Sequence, residues 1–393
     1  MKKTLEDLQF EGKKVLMRAD FNVPLDEDRK ITDDSRITAA MPSIKYVLDN
    51  GGKLILMSHL GRPKGEVKEE FRLDPVAQRI SELLGKEVKK LNDCVGEDVK
   101  NTVDAMKPGE VVLLENLRFH KGEKKNDPEF AKELASLGDI FVEDAFGTCH
   151  RAHASTVGVT KFLPSVAGFL VSKEIEYFEK VTKSPEKPFC LILGGAKVSD
   201  KIPLIESMLD KIDFLLIGGA MAYTFLKSRL KGVGASRVED GMADTVKKIF
   251  DLAKEKGVSI FLPQDHIVAK EISPKSRRKK VKEHIPDGWI GLDIGPATVK
   301  SYCKVLKESK TVVWNGPVGF FEMKPFMYGT KKLAKMISKL DATTVIGGGD
   351  TAAAVNQLKL GKKMSHMSTG GGASLEYLEG KELPGIAALE DRG

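Results

Sequence analysis

The chain has 393 residues, of which 41% are hydrophobic and 30% charged, with a net charge of +7; that is too long for one compact core and suits two domains. The modest basicity fits small anionic ligands as well as nucleic acid and does not choose between them. No apolar run is long enough to span a bilayer, and the opening Met1–Phe10 lacks the apolar stretch of a secretion signal, so a soluble cytoplasmic protein with no membrane partner is expected.

Short apolar runs, each followed by a polar or glycine-rich loop and a helical pattern, predict α/β organisation with doubly wound parallel sheets. In the first half the runs are Val15–Met17, Leu54–Met57, Val111–Leu114 and Ile140–Val142, with a further short segment near Glu87–Lys89. Helices fit Ile37–Asn50, Asp74–Leu84 and Asp127–Leu137. Ligands of such sheets sit beyond the carboxyl ends of the strands, so the loops there carry the information. The first loop holds Asp20 and Asn22, which also suit a turn before proline, and Arg36 opens the next helix. The second loop, S-H-L-G-R-P, holds His59 and Arg62; the third holds Arg118; the fourth holds His150, Arg151 and His153. Singly each arginine reads as a surface charge. Together at equivalent strand ends they read as a site for an anion, because guanidinium forks match carboxylate and phosphate oxygens. Among the histidines only His59 is expected to touch a ligand, while one of His150 and His153 braces its loop.

The helical pattern Val171–Lys183 is stopped by Ser184–Pro188, the expected junction between a first domain (1–170) and a second (189–373), with 171–188 as hinge. The second half offers Phe189–Leu193, Phe214–Ile217, Ile260–Leu262, Val312–Trp314, Thr343–Ile346 and Met364–Met367 as strands. Its strand ends are glycine loops. After the first, Lys197 and Lys201 flank a predicted helix start capped by Ser199 or Asp200. Thr343–Asn356 reads as a strand feeding a phosphate loop, with Gly348 and Gly349 turning the chain, Asp350 placed to hold magnesium, and Thr351 entering a helix. Gly370, Gly371 and Gly372 open another helix, and the tail 374–393 carries apolar residues suited to packing back on the first domain. Neither standard phosphate fingerprint fits: G-x-x-x-x-G-K-[ST] is missing, and G-G-G-D-T-A lacks the later strand-ending acid of a dinucleotide fold. The four cysteines, Cys94, Cys149, Cys190 and Cys303, lack metal-ligand spacing and read as reduced packing residues.

The ordered strings D-F-N-V-P, S-H-L-G-R-P, L-L-E-N-L-R-F, H-R-A-H, G-G-A-K-V-S-D-K, W-N-G-P-V-G-F-F-E, G-G-G-D-T and S-T-G-G-G-A-S-L-E-Y-L-E-G span essentially the whole chain. This set resembles the phosphoglycerate kinases. The resemblance implies a monomer with two Rossmann-like domains facing a cleft, which transfers a phosphoryl group in line between 1,3-bisphosphoglycerate and ADP, with Mg2+, after domain closure. It implies that Asp20, Asn22, Arg36, His59, Arg62, Arg118 and Arg151 hold 3-phosphoglycerate. Lys197, Lys201, Gly291, Asn315, Glu322, Gly348, Gly349, Asp350 and Thr351 would hold ATP or ADP, with Asp350 on the metal. Arg36, Lys197, Gly371 and Gly372 would surround the migrating group. Ala220 stands where the family often has a third glycine, so nucleotide affinity is the property in question.

Two other readings compete with this one. A nicotinamide dehydrogenase would also use glycine loops, and a nucleic-acid binder would use the basic run Lys275–Lys282, which otherwise reads as a solvated hairpin or loop.

Overall fold

The computed structural model describes residues 1–393, which divide into two compact units, Met1–Glu176 with Glu382–Gly393, and Tyr177–Lys381. The first contains β1 (Lys14–Ala19), β2 (Lys53–Met57), β3 (Lys89–Lys90), β4 (Val111–Leu113), β5 (Ile140–Asp144) and β6 (Ser165–Ala167). These form one parallel sheet in the order β3-β4-β2-β1-β5-β6. β1 runs Lys-Val-Leu-Met-Arg-Ala and is buried almost throughout, as a central strand covered on both faces must be. Val15, Met17, Leu54 and Leu56 pack there with Ile37, Ala40 and Ile44 of the helix Ser35–Asp49.

The second unit contains β7 (Phe189–Leu193), β8 (Phe214–Ile217), β9 (Ser259–Phe261), β10 (Asp265–Ala269), β11 (Lys279–Lys282), β12 (Ile290–Ile294), β13 (Thr311–Asn315), β14 (Thr343–Gly347) and β15 (His366–Met367). Six of them make a parallel sheet, β15-β14-β13-β7-β8-β9, and β11-β10-β12 make a three-stranded antiparallel one. Trp314 is fully buried on the central β13, and its indole N–H donates to the Gly316 carbonyl at 2.8 Å, satisfying the one polar atom the ring brings inside.

Several predicted elements shift. The helix expected at Ile37–Asn50 covers Ser35–Asp49, that at Asp127–Leu137 shortens to Pro128–Ala135, and that at Val171–Lys183 begins at Phe169. The strand expected near Glu87–Lys89 is Lys89–Lys90, and Met364–Met367 shrinks to His366–Met367. The antiparallel sheet and β6 carry no period long enough to announce them. Part of the basic run, read above as a solvated hairpin or loop, is the edge strand β11: Val281 turns inward while Lys279, Lys280 and Lys282 face out. Exposed lysines on an edge strand oppose pairing with another chain, which gives the run a structural reason.

Glu382–Gly393 belongs to the first unit, where Glu390 N–H donates to Ser165 and Lys2 pairs with Asp391 at 3.2 Å. No helix is long and apolar enough to cross a membrane.

Candidate active site

In the first unit the strand-end loops are tied to one another by polar side chains. Asn116 is fully buried after β4; its amide donates to Leu60 O at 2.8 Å and Phe71 O at 2.9 Å, and its oxygen accepts the Arg118 N–H at 3.1 Å. Asn22 reaches the same loop by accepting the Gly61 N–H at 2.8 Å. Arg118 donates to Gly61 O at 2.8 Å, while its Nε is buried without a partner. Arg36 pairs with Asp20. Arg62 is exposed in the second loop, and Arg151 Nε lies 3.0 Å from His150 Nε2.

Sequence reasoning passed over Arg18, the last but one residue of β1. It is wholly buried and donates through Nε to Ser155 Oγ at 3.0 Å and through Nη2 to His59 Nδ1 at 2.9 Å. An arginine has no acceptor, so Nδ1 must accept, and the neutral imidazole keeps its proton on Nε2. Burial drives the His59 pKa well below the usual histidine range, helped by repulsion from Arg18, Arg118, Arg36 and His153. His59 is therefore a neutral imidazole only 4% exposed, with its proton on Nε2. The signal for Arg18 was a charge inside a continuous apolar run.

The field of the cluster is legible in Arg118, whose pKa falls to about 10 through burial and then through repulsion by Arg18 and Arg151. Guanidinium groups crowded in this way call for an anion. Beneath them burial opposes ionisation of Glu123, yet His153, Arg18 and the Ser155 hydrogen bond together hold it below the usual carboxylate range. Glu123 Oε1 is 3.6 Å from His153 Nδ1, an ion-pair distance too long for a hydrogen bond. A larger hollow of about 900 Å3 is a poorer anion site: its acids Asp28, Asp33, Asp34, Asp74 and Glu82 outnumber its bases Arg29, Lys30 and Arg79, and Arg79 is already paired with Asp34 at 2.8 Å and Glu82 at 2.7 Å.

The second unit builds its site from main chain. A Cβ on Gly194 would stand 2.1 Å from the Pro317 carbonyl oxygen, so only glycine lets the loops after β7 and β13 touch. Gly348 has φ +85° and caps the helix Gly349–Gln357, whose first-turn N–H groups have no partners within the helix. Asn315 faces this terminus: it is 2% exposed, its Nδ2 has no partner, and that atom would lie 3.0 Å from a Cβ on Gly348. A buried amide donor aimed at a helix N-terminus is the setting for an anion. Lys201 donates to the Asn315 oxygen, and burial lowers its pKa despite Asp200, Glu379 and Asp350 nearby. Thr351 is fully buried, its hydroxyl accepting the Gly316 N–H at 2.7 Å, so its side chain braces the loop.

Neither Ser199 nor Asp200 caps a helix as expected. The residues Ser199–Lys201 form a 3-10 turn before the helix Ile202–Met208, and Glu239 takes the capping place, accepting Val198 N–H at 2.8 Å and Ser199 N–H at 3.0 Å. Glu239 lies forty residues downstream in the chain, beyond the reach of a local signal. Lys197 is exposed just before this turn.

Beside these loops lies a cavity of about 270 Å3, lined by Gly195, Gly219, Ala220, Tyr223, Gly291, Leu292, Val318 and Phe320, with Arg237, Glu322 and Asp350 as its charged members. Gly291 is required there, because a Cβ would strike the Tyr223 ring at 2.3 Å. The helix Gly372–Leu378 starts after Gly371 in a loop held by the Gly370 N–H donating to Ser368 Oγ at 3.1 Å.

The sequence profile of the phosphoglycerate kinase family matches residues 5–381. The chain is 54% identical over 392 residues to the phosphoglycerate kinase of Moorella thermoacetica, with 100% of each covered. To that of Clostridium perfringens it is 57% identical over 394 residues, covering 100% of this chain and 99% of the relative. The solved phosphoglycerate kinase from Coxiella burnetii matches with a TM-score of 0.89 at 41% identity, covering 99% of this chain and 98% of the other. That from Pyrococcus horikoshii gives 0.86 at 33% identity, again covering 99% and 98%. The chain thus belongs to the phosphoglycerate kinase family, whose glycolytic reaction passes a phosphoryl group reversibly between 1,3-bisphosphoglycerate and ADP.

Proposed function

We propose that the first unit binds the phosphoglycerate and the second the nucleotide. The observation that carries this is the contrast in donors: crowded guanidinium groups at the strand ends of Met1–Glu176, against a glycine-lined cavity and a free helix N-terminus in Tyr177–Lys381. Arg36, Arg62, Arg118 and Arg151 supply charge to a small trianion, while Asp20, Asn22 and neutral His59 orient it through its hydroxyl and carboxyl groups. Gly291 and the apolar cavity wall take the base, Glu322 the ribose, and Lys197, Lys201, Asn315 and the N–H groups of Gly348, Gly349, Asp350 and Thr351 the phosphates.

The acceptor is already an anionic oxygen, so no general base is needed, and the protein supplies alignment and charge neutralisation. Arg36, Lys197 and the N–H groups of Gly371 and Gly372 are the groups we assign to the migrating phosphoryl oxygens. Asp350 is an exposed carboxylate on the cavity wall with no ion-pair partner, which fits a magnesium ion that keeps most of its waters and takes one protein oxygen beside the nucleotide's own. When bound, the ion would neutralise phosphate charge. A cytoplasmic monomer using only small-molecule substrates completes the reading.

Calorimetric titration separates the two sites. Arg118→Met should weaken 3-phosphoglycerate binding by about tenfold or more, roughly 1.4 kcal/mol, and leave ADP unchanged. Asp350→Asn should do the reverse with Mg-ADP. Equal losses of both ligands in either variant would overturn the assignment.

A further inference from the structure

The nucleotide cavity contains one cation, Arg237, that the phosphate site does not account for. Its guanidinium is exposed and makes no hydrogen bond or ion pair, although Glu322 and Asp350 line the same cavity. The backbone that carries it is fixed on both sides. Upstream, Ser236 Oγ accepts the Gly291 N–H at 2.9 Å and Ala235 N–H donates to Trp289 O at 2.8 Å. Downstream, Glu239 N–H donates to Thr224 Oγ1 at 3.0 Å. Arg237 thus enters the cavity beside Gly291 and Tyr223, on the apolar wall formed with Ile272, Ile290 and Leu292, where the base is placed by the site assignment above.

We infer that Arg237 reads the edge of the base and shifts the enzyme's preference toward 6-oxopurine nucleotides, guanosine and inosine diphosphates, relative to ADP. The inference rests on the nucleotide site proposed above. Its chemistry is one of donors and acceptors. A guanidinium only donates. A 6-oxopurine presents O6 and N7 as two adjacent acceptors that match the fork, whereas adenine places an amino donor at the same position. With Glu322 assigned to the ribose and Asp350 to the metal, Arg237 is the charged side chain left on that wall to tell the two purines apart.

The test compares kcat/KM for ADP, GDP and IDP in the full-length enzyme and in Arg237→Leu and Arg237→Lys. The GDP-to-ADP and IDP-to-ADP ratios should fall by about fivefold or more in Arg237→Leu, the lower end of what a bidentate base contact contributes, because the group is exposed. Arg237→Lys keeps the charge but not the fork and should restore the ratios only in part. Equal loss with all three nucleotides, rescued by lysine, would mean that Arg237 serves the phosphates and would overturn the inference. So would unchanged ratios in Arg237→Leu. If Asp350→Asn leaves Mg-ADP binding untouched, the site assignment itself fails and takes the inference with it, an outcome distinct from a normal Asp350 response with flat ratios.

Discussion

The two units are built from opposite materials at the sites we assign to their anions. The first uses side chains: Arg36, Arg118 and Arg151 gathered over a buried layer of Arg18, His59, Glu123 and Asn116. The second uses backbone: glycines that let loops approach, a helix terminus, and only a few polar side chains such as Asn315 and Lys201. Each half is therefore vulnerable in its own way. Truncating Arg36 or Arg151 in the first unit should remove that side chain's own contacts and little else. Adding one methyl to a glycine loop in the second should move the loop, and with it everything the loop presents.

The sharpest challenge to this contrast is Arg36→Met. If Arg36 meets charge that develops during transfer, kcat should fall about a hundredfold or more, roughly 3 kcal/mol, with a normal melting temperature and a much smaller rise in the KM for 3-phosphoglycerate. A variant with near-normal kcat and only a raised KM for 3-phosphoglycerate would reduce Arg36 to a ground-state contact.

Gly194→Ala probes the other half. Its methyl carbon would start 2.1 Å from the Pro317 oxygen, a backbone atom that cannot swing away. Overpacking of that kind costs about 1–3 kcal/mol, so thermal unfolding should shift down and ADP affinity should drop together. Wild-type values of both would show that close loop approach is not what shapes the nucleotide site.

The last test concerns a device both units share, a buried carboxyl. Asp144 in the first unit accepts the Leu170 N–H at 2.9 Å, and burial raises its pKa to about 7; Asp293 in the second is raised well above the carboxylate range by the same cause. Between about pH 4, where Asp144 would ionise in the unfolded chain, and about 7, the folded state holds the extra proton. Stability from this group is therefore full below about pH 4, falls as pH rises, and is lost above about 7. Asp144→Asn keeps the acceptor oxygen and removes the titration, so the difference in unfolding free energy between variant and wild type should move in the variant's favour from about pH 5 to about 8. A difference that stays constant over that range would show that Asp144 is ionised in the folded chain throughout.

Much of this was legible in the order of residues. Each core strand is an apolar run, and an apolar run in an α/β chain has little choice but to be a buried parallel strand. The residues after such a strand must then lie at the sheet's carboxyl edge, which is why Asp20, His59, Arg118 and Asp350 could be placed at strand ends from the sequence alone. The short elements β3, β6 and β15 were blurred or missed because two or three residues hold no period. Ser199 misled because the nearest hydroxyl is a good local cap, while the group that in fact accepts those N–H bonds, Glu239, comes from another segment.

The order of residues alone settled the α/β class, the two-part organisation and the residue types at each strand end, since these depend on local periodicity and on the loop that succeeds each strand. The state of those residues came from the folded molecule: His59 is buried and neutral beneath Arg18, Asn315 points an unpartnered amide at Gly348, Thr351 is a brace, and Arg237 stands unpaired on the cavity wall. Protonation, desolvation and partnering are set by atoms brought together from distant parts of the chain, and no local pattern encodes which of them will meet.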